Sequence, residues 1–300
     1  FPNPEIKEAL AKGLELCNVV KPDLLLATDP DCDRVGIAVP SDNGYELFTG
    51  NEVGAMLLEY ICSERTKMGT MPADPVAVKT IVTTDIAAKI AKEYGVKLIE
   101  VLTGFKFIGE QIGFLEDKGQ EDRYIFGFEE SYGYLAGSYV RDKDAVVASM
   151  LICEMAAFYR TKGISLIQAR ENMYKKYGVY IHSQSSFVCE GVTGMERMKE
   201  IMSDLRTNTP KTIGGLTVTR FEDYLASTSV DTATGAKTML TLPKSDVLTF
   251  KLTDGASVII RPSGTEPKIK AYYTVTADTT EAGAVKEKAL DTAFSAMILN

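Results

Sequence analysis

At 300 residues the chain exceeds the usual size of a single core, so more than one domain is expected. Its 41 acidic and 33 basic side chains leave a formal charge of -8, which argues against a nucleic-acid surface or an anionic membrane as partner but still allows local Arg and Lys to hold a small anion. The cysteines, Cys17, Cys32, Cys62, Cys153 and Cys189, are scattered without a Cys-x-x-Cys pair, which suggests neither a zinc site nor a disulfide framework and fits a reducing cytoplasm.

In chain order, residues 4–17 read as a helix leading to an apolar strand over 24–27, the tail of an α/β domain that ends near residue 40. Residues 51–67 read as a helix and 76–83 as a strand. Thr84 and Asp85 are expected to cap a helix over 86–94, and 97–101 is again a strand. This alternation implies parallel βαβ units. A strand over 123–128 and a long apolar helix over 144–160 complete the domain; the apolar run 145–153 ends at Glu154, too short to cross a bilayer. Ser165 is placed to cap a helix through Tyr174. From residue 179 the pattern changes to a strand over 180–189, a helix over 192–205, strands over 248–252, 257–260 and 269–275, and a closing helix over 280–297. The polar stretch 223–244 is expected to be loop. The expected fold class is therefore α/β. A remnant of a preceding α/β domain (1–40) is followed by a parallel-sheet α/β domain (41–163) and a smaller α+β domain with a mostly antiparallel sheet (164–300).

Two segments carry chemistry. Thr28-Asp29-Pro30-Asp31-Cys32-Asp33-Arg34 lies between two apolar runs, and three carboxylates gathered in one loop repel one another unless a hard divalent cation, most naturally Mg²⁺, sits among them. A solvated turn is the bland alternative, since Asp and Pro are common in turns. An EF-hand starting at Asp29 fails, because Arg34 and Pro40 occupy the positions that need Gly and Glu. The second segment, Arg261-Pro262-Ser263-Gly264-Thr265, reads as an anion-binding loop between strands: Ser263 and Thr265 offer hydroxyls, Gly264 allows close backbone approach, and Arg261 supplies a planar fork of donors suited to phosphate.

A third segment lies between them, Gly127-Phe128-Glu129-Glu130-Ser131-Tyr132-Gly133-Tyr134, flanked by Thr103-Gly104-Phe105-Lys106 and Arg141-Asp142-Lys143-Asp144. In order and spacing these motifs resemble the α-D-phosphohexomutase (phosphoglucomutase/phosphomannomutase) family, most closely its bacterial α-phosphoglucomutase branch. The family's phosphoserine motif, Thr-Ala-Ser-His-Asn-Pro-like, does not occur here; the single histidine, His182, precedes Ser183-Gln184. The opening Phe1-Pro2-Asn3-Pro4-Glu5 resembles a segment inside the family's second domain. The chain is therefore expected to be the C-terminal portion of a longer enzyme, inactive without its nucleophile.

The resemblance implies Mg²⁺ on Asp29, Asp31 and Asp33, Arg34 near a transferring phosphoryl, and a sugar held by Glu129 and Ser131 with the Thr103-Gly104 loop beside it. Lys106 and Lys143 become candidate acid/base or phosphate-contacting groups. Arg261, Ser263, Gly264 and Thr265 would hold the phosphate that is not being transferred, with Lys270 standing where many relatives carry Arg. The implied reaction is reversible phosphoryl transfer between glucose 1-phosphate and glucose 6-phosphate through glucose 1,6-bisphosphate. Phosphomannomutase and phosphopentomutase activities remain alternatives, as do a phosphatase using Asp31 or Asp33 and a non-catalytic sugar-phosphate-binding module. The expected partner is a phosphosugar, with no nucleic acid and no membrane; oligomeric state is not legible.

Overall fold

The computed structural model describes residues 2–189, 193–263 and 266–299. They divide into two compact units, Phe1–Tyr177 and Gly178–Asn300. Among the described residues no helix is long and apolar enough to cross a membrane.

In the first unit a 3₁₀ turn, Lys7–Leu10, runs into α1 (Ala11–Val20). Strands β1 (Leu25–Thr28), β2 (Val35–Ser41) and β3 (Gly44–Phe48) form an antiparallel sheet in which Thr28 faces Val35, so residues 29–34 are the hairpin loop. Helix α2 (Gly50–Met68) starts at a capping box: Thr49 Oγ1 accepts from the Glu52 N–H and the Glu52 carboxylate accepts from the Thr49 N–H. There follow β4 (Val76–Thr80), α3 (Ile86–Glu93), β5 (Lys97–Val101), α4 (Phe105–Glu116), β6 (Tyr124–Glu129), β7 (Gly133–Leu135), α5 (Ala145–Thr161) and α6 (Leu166–Tyr177). The sheet order is β5-β4-β6-β7, with β4 parallel to both neighbours and β7 an antiparallel edge. Every residue of β4 and β6 is buried, as expected of parallel strands covered on both faces. On one face α4 lays Phe105, Ile108, Ile112 and Leu115 against Val76, Val78, Val101 and Tyr124.

Two local expectations need correction. The strand expected over 76–83 ends at Thr80, and Asp85 does not cap α3, because its carboxylate pairs with the buried Lys79 ammonium at 3.0 Å. Thr84 Oγ1 instead accepts from the Ile86 N–H. Ser165 does cap α6, accepting from the Gln168 N–H. That helix packs on α2, α3 and α5, so the compact unit extends to Tyr177 and not to residue 163.

The second unit contains β8 (Val179–Val188), α7 (Gly194–Thr207), β9 (Thr212–Ile213), β10 (Leu216–Asp223), β11 (Thr228–Asp231), β12 (Lys237–Met239), β13 (Leu248–Leu252), β14 (Ser257–Pro262), β15 (Lys268–Ala277) and α8 (Thr280–Leu299). The antiparallel sheet runs β12-β11-β10-β13-β14-β15-β8, with β9 paired to β10. Helices α7 and α8 cover one face through Met198, Ile201, Met202, Leu205, Leu290, Phe294 and Ile298, packed with Leu248, Phe250, Val258, Ile260 and Tyr273. The stretch 223–244, expected to be loop, contributes β11 and β12. All of β12 is exposed, so backbone pairing alone extends the sheet there.

Candidate active site

The acidic hairpin loop folds back on itself. Asp29 Oδ1 accepts from the Asp33 and Arg34 N–H groups at 3.1 and 3.0 Å, and the Cys32 N–H donates to Asp29 O. Cys32 takes a left-handed φ of 56°, and this turn brings the alternating side chains together: one carboxylate oxygen each from Asp29, Asp31 and Asp33 lies within 4.8 Å of the others. Asp33 Oδ1 is buried and accepts no hydrogen bond among the described residues. A convergent all-oxygen donor set with an unfilled buried acceptor fits a hard divalent cation such as Mg²⁺. Arg34 leans over the same cluster, with Nη1 3.0 Å from Glu5 Oε1 and Nε 3.8 and 3.7 Å from Asp29 and Asp33.

The hairpin β6–β7 brings the second motif to the same place. Its turn, residues 130–132, ends in Tyr132 at φ 66°, whose carbonyl accepts from the Val35 N–H at 3.2 Å, and Arg34 and Gly133 form an antiparallel bridge. The acidic loop and the Glu-Glu-Ser turn are thereby stitched together through the backbone. Glu129, 5% exposed, accepts from the Gly104 N–H at 3.0 Å, which joins the Thr-Gly loop to the turn. Gly104 has a φ of 121°, a region open to glycine, and this turns its N–H toward the carboxylate. Thr103 Oγ1 is buried without a hydrogen-bond partner among the described residues. Burial pushes the Glu129 pKa up, against the opposing pull of Lys143, the Gly104 N–H and Arg34.

Lys143 completes the cluster. Its Nζ lies 2.9 Å from Asp33 Oδ2 and 3.0 Å from Asp142, and 5.5 Å from the centre of the Phe105 ring. Its stem crosses Gly133, where a Cβ would sit 2.2 Å from Lys143 Cδ; the glycine is what lets this lysine lie flat. Desolvation lowers the Lys143 pKa, but the bonds to Asp33 and Asp142 outweigh it and the net shift is upward. Arg141 turns away to pair with Glu116. Lys106 is exposed, its Nζ 4.8 Å from the Phe107 ring centre, and makes no ion pair among the described residues.

The phosphate-type loop lies in the second unit. Arg261 and Lys270 are direct cross-strand partners on β14 and β15, so two cations share one face at this end of the hairpin. Like charges so placed repel unless an anion lies between them. The Ser263 N–H donates to Lys268 O at 2.8 Å, and Ser263 Oγ accepts from the Glu266 N–H. Gly264 and Thr265 lie outside the described residues. His182 sits in β8 with Nδ1 3.1 Å from Thr274 Oγ1, in line with a structural role.

Sequence reasoning missed Glu5, which reaches Arg34 from 29 residues upstream, and the demand for glycine at 133. Neither has a local signal, because both depend on long-range packing.

Three family models match the chain: the phosphoglucomutase/phosphomannomutase α/β/α domain II over residues 1–43, α/β/α domain III over 49–177 and the C-terminal domain over 205–292. Phosphoglucomutases from Staphylococcus aureus strains bovine RF122 / ET3-1 and MRSA252 are each 38% identical over 274 residues, which is 91% of this chain and 48% of theirs. The chain thus spans about half the length of these relatives. Among solved structures, the open form of Paramecium pp63/parafusin, a phosphoglucomutase, aligns with a TM-score of 0.67 at 20% identity, covering 99% of this chain and 49% of that one. A Burkholderia thailandensis phosphoglucomutase/phosphomannomutase family protein aligns at 0.60 and 14%, covering 99% and 51%. At these identities the likeness to both structures concerns the fold.

Proposed function

Because the chain belongs to the phosphoglucomutase/phosphomannomutase family, we propose that its whole protein interconverts glucose 1-phosphate and glucose 6-phosphate through glucose 1,6-bisphosphate, in the cytoplasm. The observation that carries this reading is the meeting, in one unit, of the Asp29-Asp31-Asp33 loop with Glu129, Gly104, Arg34 and Lys143. Phosphoryl transfer depends chiefly on positioning and on neutralising the charge that develops on the phosphoryl oxygens. Asp29, Asp31 and Asp33 would hold Mg²⁺, which when bound would supply part of that neutralisation. Arg34 and Lys143 add fixed positive charge beside it, and Glu129 and Ser131 accept and donate hydrogen bonds to sugar hydroxyls, with Thr103 and Gly104 lining the same side. In the second unit Arg261, Ser263, Gly264, Thr265 and Lys270 grip a phosphate group; Arg261 can do so with two parallel bonds, whereas Lys270 acts as a point charge. Lys106 is the weakest member of the set, since its ammonium rests on a neighbouring ring.

The test is a coupled assay for glucose 6-phosphate with the whole protein and Mg²⁺. Turnover that disappears in Asp31→Asn supports the reading, and the 300-residue chain alone is expected to give none. Turnover by the purified chain itself, or phosphate release in place of isomerisation, overturns it.

A further inference from the structure

The two adjacent glutamates of the sugar turn point to different partners. Glu129 reaches the Gly104 N–H, whereas Glu130 Oε2 lies 3.4 Å from both Thr80 Oγ1 and Thr83 Oγ1. Those two hydroxyls are 2.7 Å apart on residues 0% and 3% exposed. Two hydroxyl protons serve three oxygen contacts, so one closes the Thr–Thr contact and the other is left for the Glu130 carboxylate.

The hydroxyl pair is itself held in place. Lys79, 1% exposed, directs Nζ to Glu100 Oε2 at 2.6 Å, Asp85 Oδ1 at 3.0 Å, Thr83 O at 3.0 Å and Thr80 O at 3.3 Å. A buried ammonium with this many acceptors ties the segment after β4 to β5 and to the start of α3. Releasing it would leave an uncompensated charge in a dry site. Asn51 Oδ1 on α2 adds a bond from the Thr84 N–H.

We propose that Glu130 is a positioning residue, not a sugar ligand: with Thr80 and Thr83, locked by Lys79, it clamps the turn that carries Glu129 and Ser131. This deepens the sugar-turn reading above and rests on it. The clamp explains why a carboxylate beside the sugar contacts is directed into the protein. It also places determinants of sugar affinity on β4, some fifty residues upstream of the turn they act on.

The experiment uses the 300-residue chain with amide hydrogen exchange read by NMR. The reporters are the Gly104 and Val35 N–H groups, which donate to Glu129 Oε1 and Tyr132 O, and the Ile81 N–H, bonded to Val101 O, is the control. Glu130→Ala and the double variant Thr80→Val/Thr83→Val are expected to speed exchange at Gly104 and Val35 by about tenfold or more while Ile81 is unchanged. Glu130→Gln keeps an acceptor oxygen and is expected to stay near wild type. In parallel, the Kd for glucose 1-phosphate should rise about tenfold in Glu130→Ala and be restored in Glu130→Gln. Unchanged exchange at both reporters, equal acceleration of Ile81, or a Glu130→Gln variant as impaired as Glu130→Ala overturns the clamp. If the wild-type chain fails to bind glucose 1-phosphate, the sugar reading fails on its own, and the exchange ratios still decide whether Glu130 holds the turn.

Discussion

Replacing Gly133 with alanine places a methyl 2.2 Å from Lys143 Cδ and 2.8 Å from Lys143 Cγ. Ordinary carbon contacts lie at about 3.5–4.0 Å, so the stem must retreat by roughly 1.5 Å. Its ammonium sits 2.9 Å from Asp33 Oδ2, and such a retreat carries the pair beyond hydrogen-bond range. Overpacking a tight site costs about 1–3 kcal/mol, and loss of a partly shielded ion pair adds up to about 1 kcal/mol. A destabilisation of about 2–3 kcal/mol is therefore expected, read as a lower urea midpoint with an unchanged slope. In a Lys143→Ala background the stem is gone and the methyl has room, so the same substitution should cost less than about 0.5 kcal/mol. An equal cost in both backgrounds would show that Gly133 is needed for its backbone and not for the lysine that crosses it.

Three further outcomes follow from particular contacts. Burial raises the Glu129 pKa above the ordinary 4.5, so the folded state holds its proton more tightly; this protonation favours folding below that value and its contribution is lost as pH rises through the folded-state pKa. Glu129→Gln keeps the oxygen that accepts from Gly104, and its melting temperature relative to wild type should rise from pH 4 to pH 8; a relative fall would contradict the shift. Thr49→Ala removes the cap of α2 and should lower stability by about 1 kcal/mol in urea unfolding, whereas Thr49→Ser should cost little. Arg261→Ala should weaken phosphosugar binding by roughly 1.5–3 kcal/mol for glucose, mannose and ribose phosphates alike, while Ser131→Ala should change their ranking in calorimetric titrations.

The parts of the fold that were legible in the sequence are those where burial and capping act locally. The apolar run before Thr28, the Ser165 cap and the Asp144 start of α5 each hold in the structure. The strands β11 and β12 were not legible, because their mostly polar residues carry no apolar alternation and they are recruited by backbone pairing, β11 to β10 and the exposed β12 to β11. The site shows the same division. Asp29, Asp31 and Asp33 converge within one loop, which spacing can suggest. The Val35–Tyr132 bond that stitches this loop to the turn at 130–132, and the Thr80–Glu130 contact, join segments about fifty to one hundred residues apart. Asp85 was misread as a helix cap because nothing local announces a buried lysine at 79.

The central claim is that the acidic loop and the Glu-Glu-Ser turn form one divalent-cation and phosphosugar site, and the most direct measurement is paramagnetic broadening by Mn²⁺ on the isotopically labelled chain. Mn²⁺ accepts the same oxygen ligands as Mg²⁺. Amides of Asp29–Arg34, Gly104 and Glu129–Gly133 should broaden first, competed by Mg²⁺ and lost in Asp31→Asn, with glucose 1-phosphate strengthening the effect. Broadening that is spread over surface carboxylates, or that survives Asp31→Asn, would contradict a single site built from these two loops.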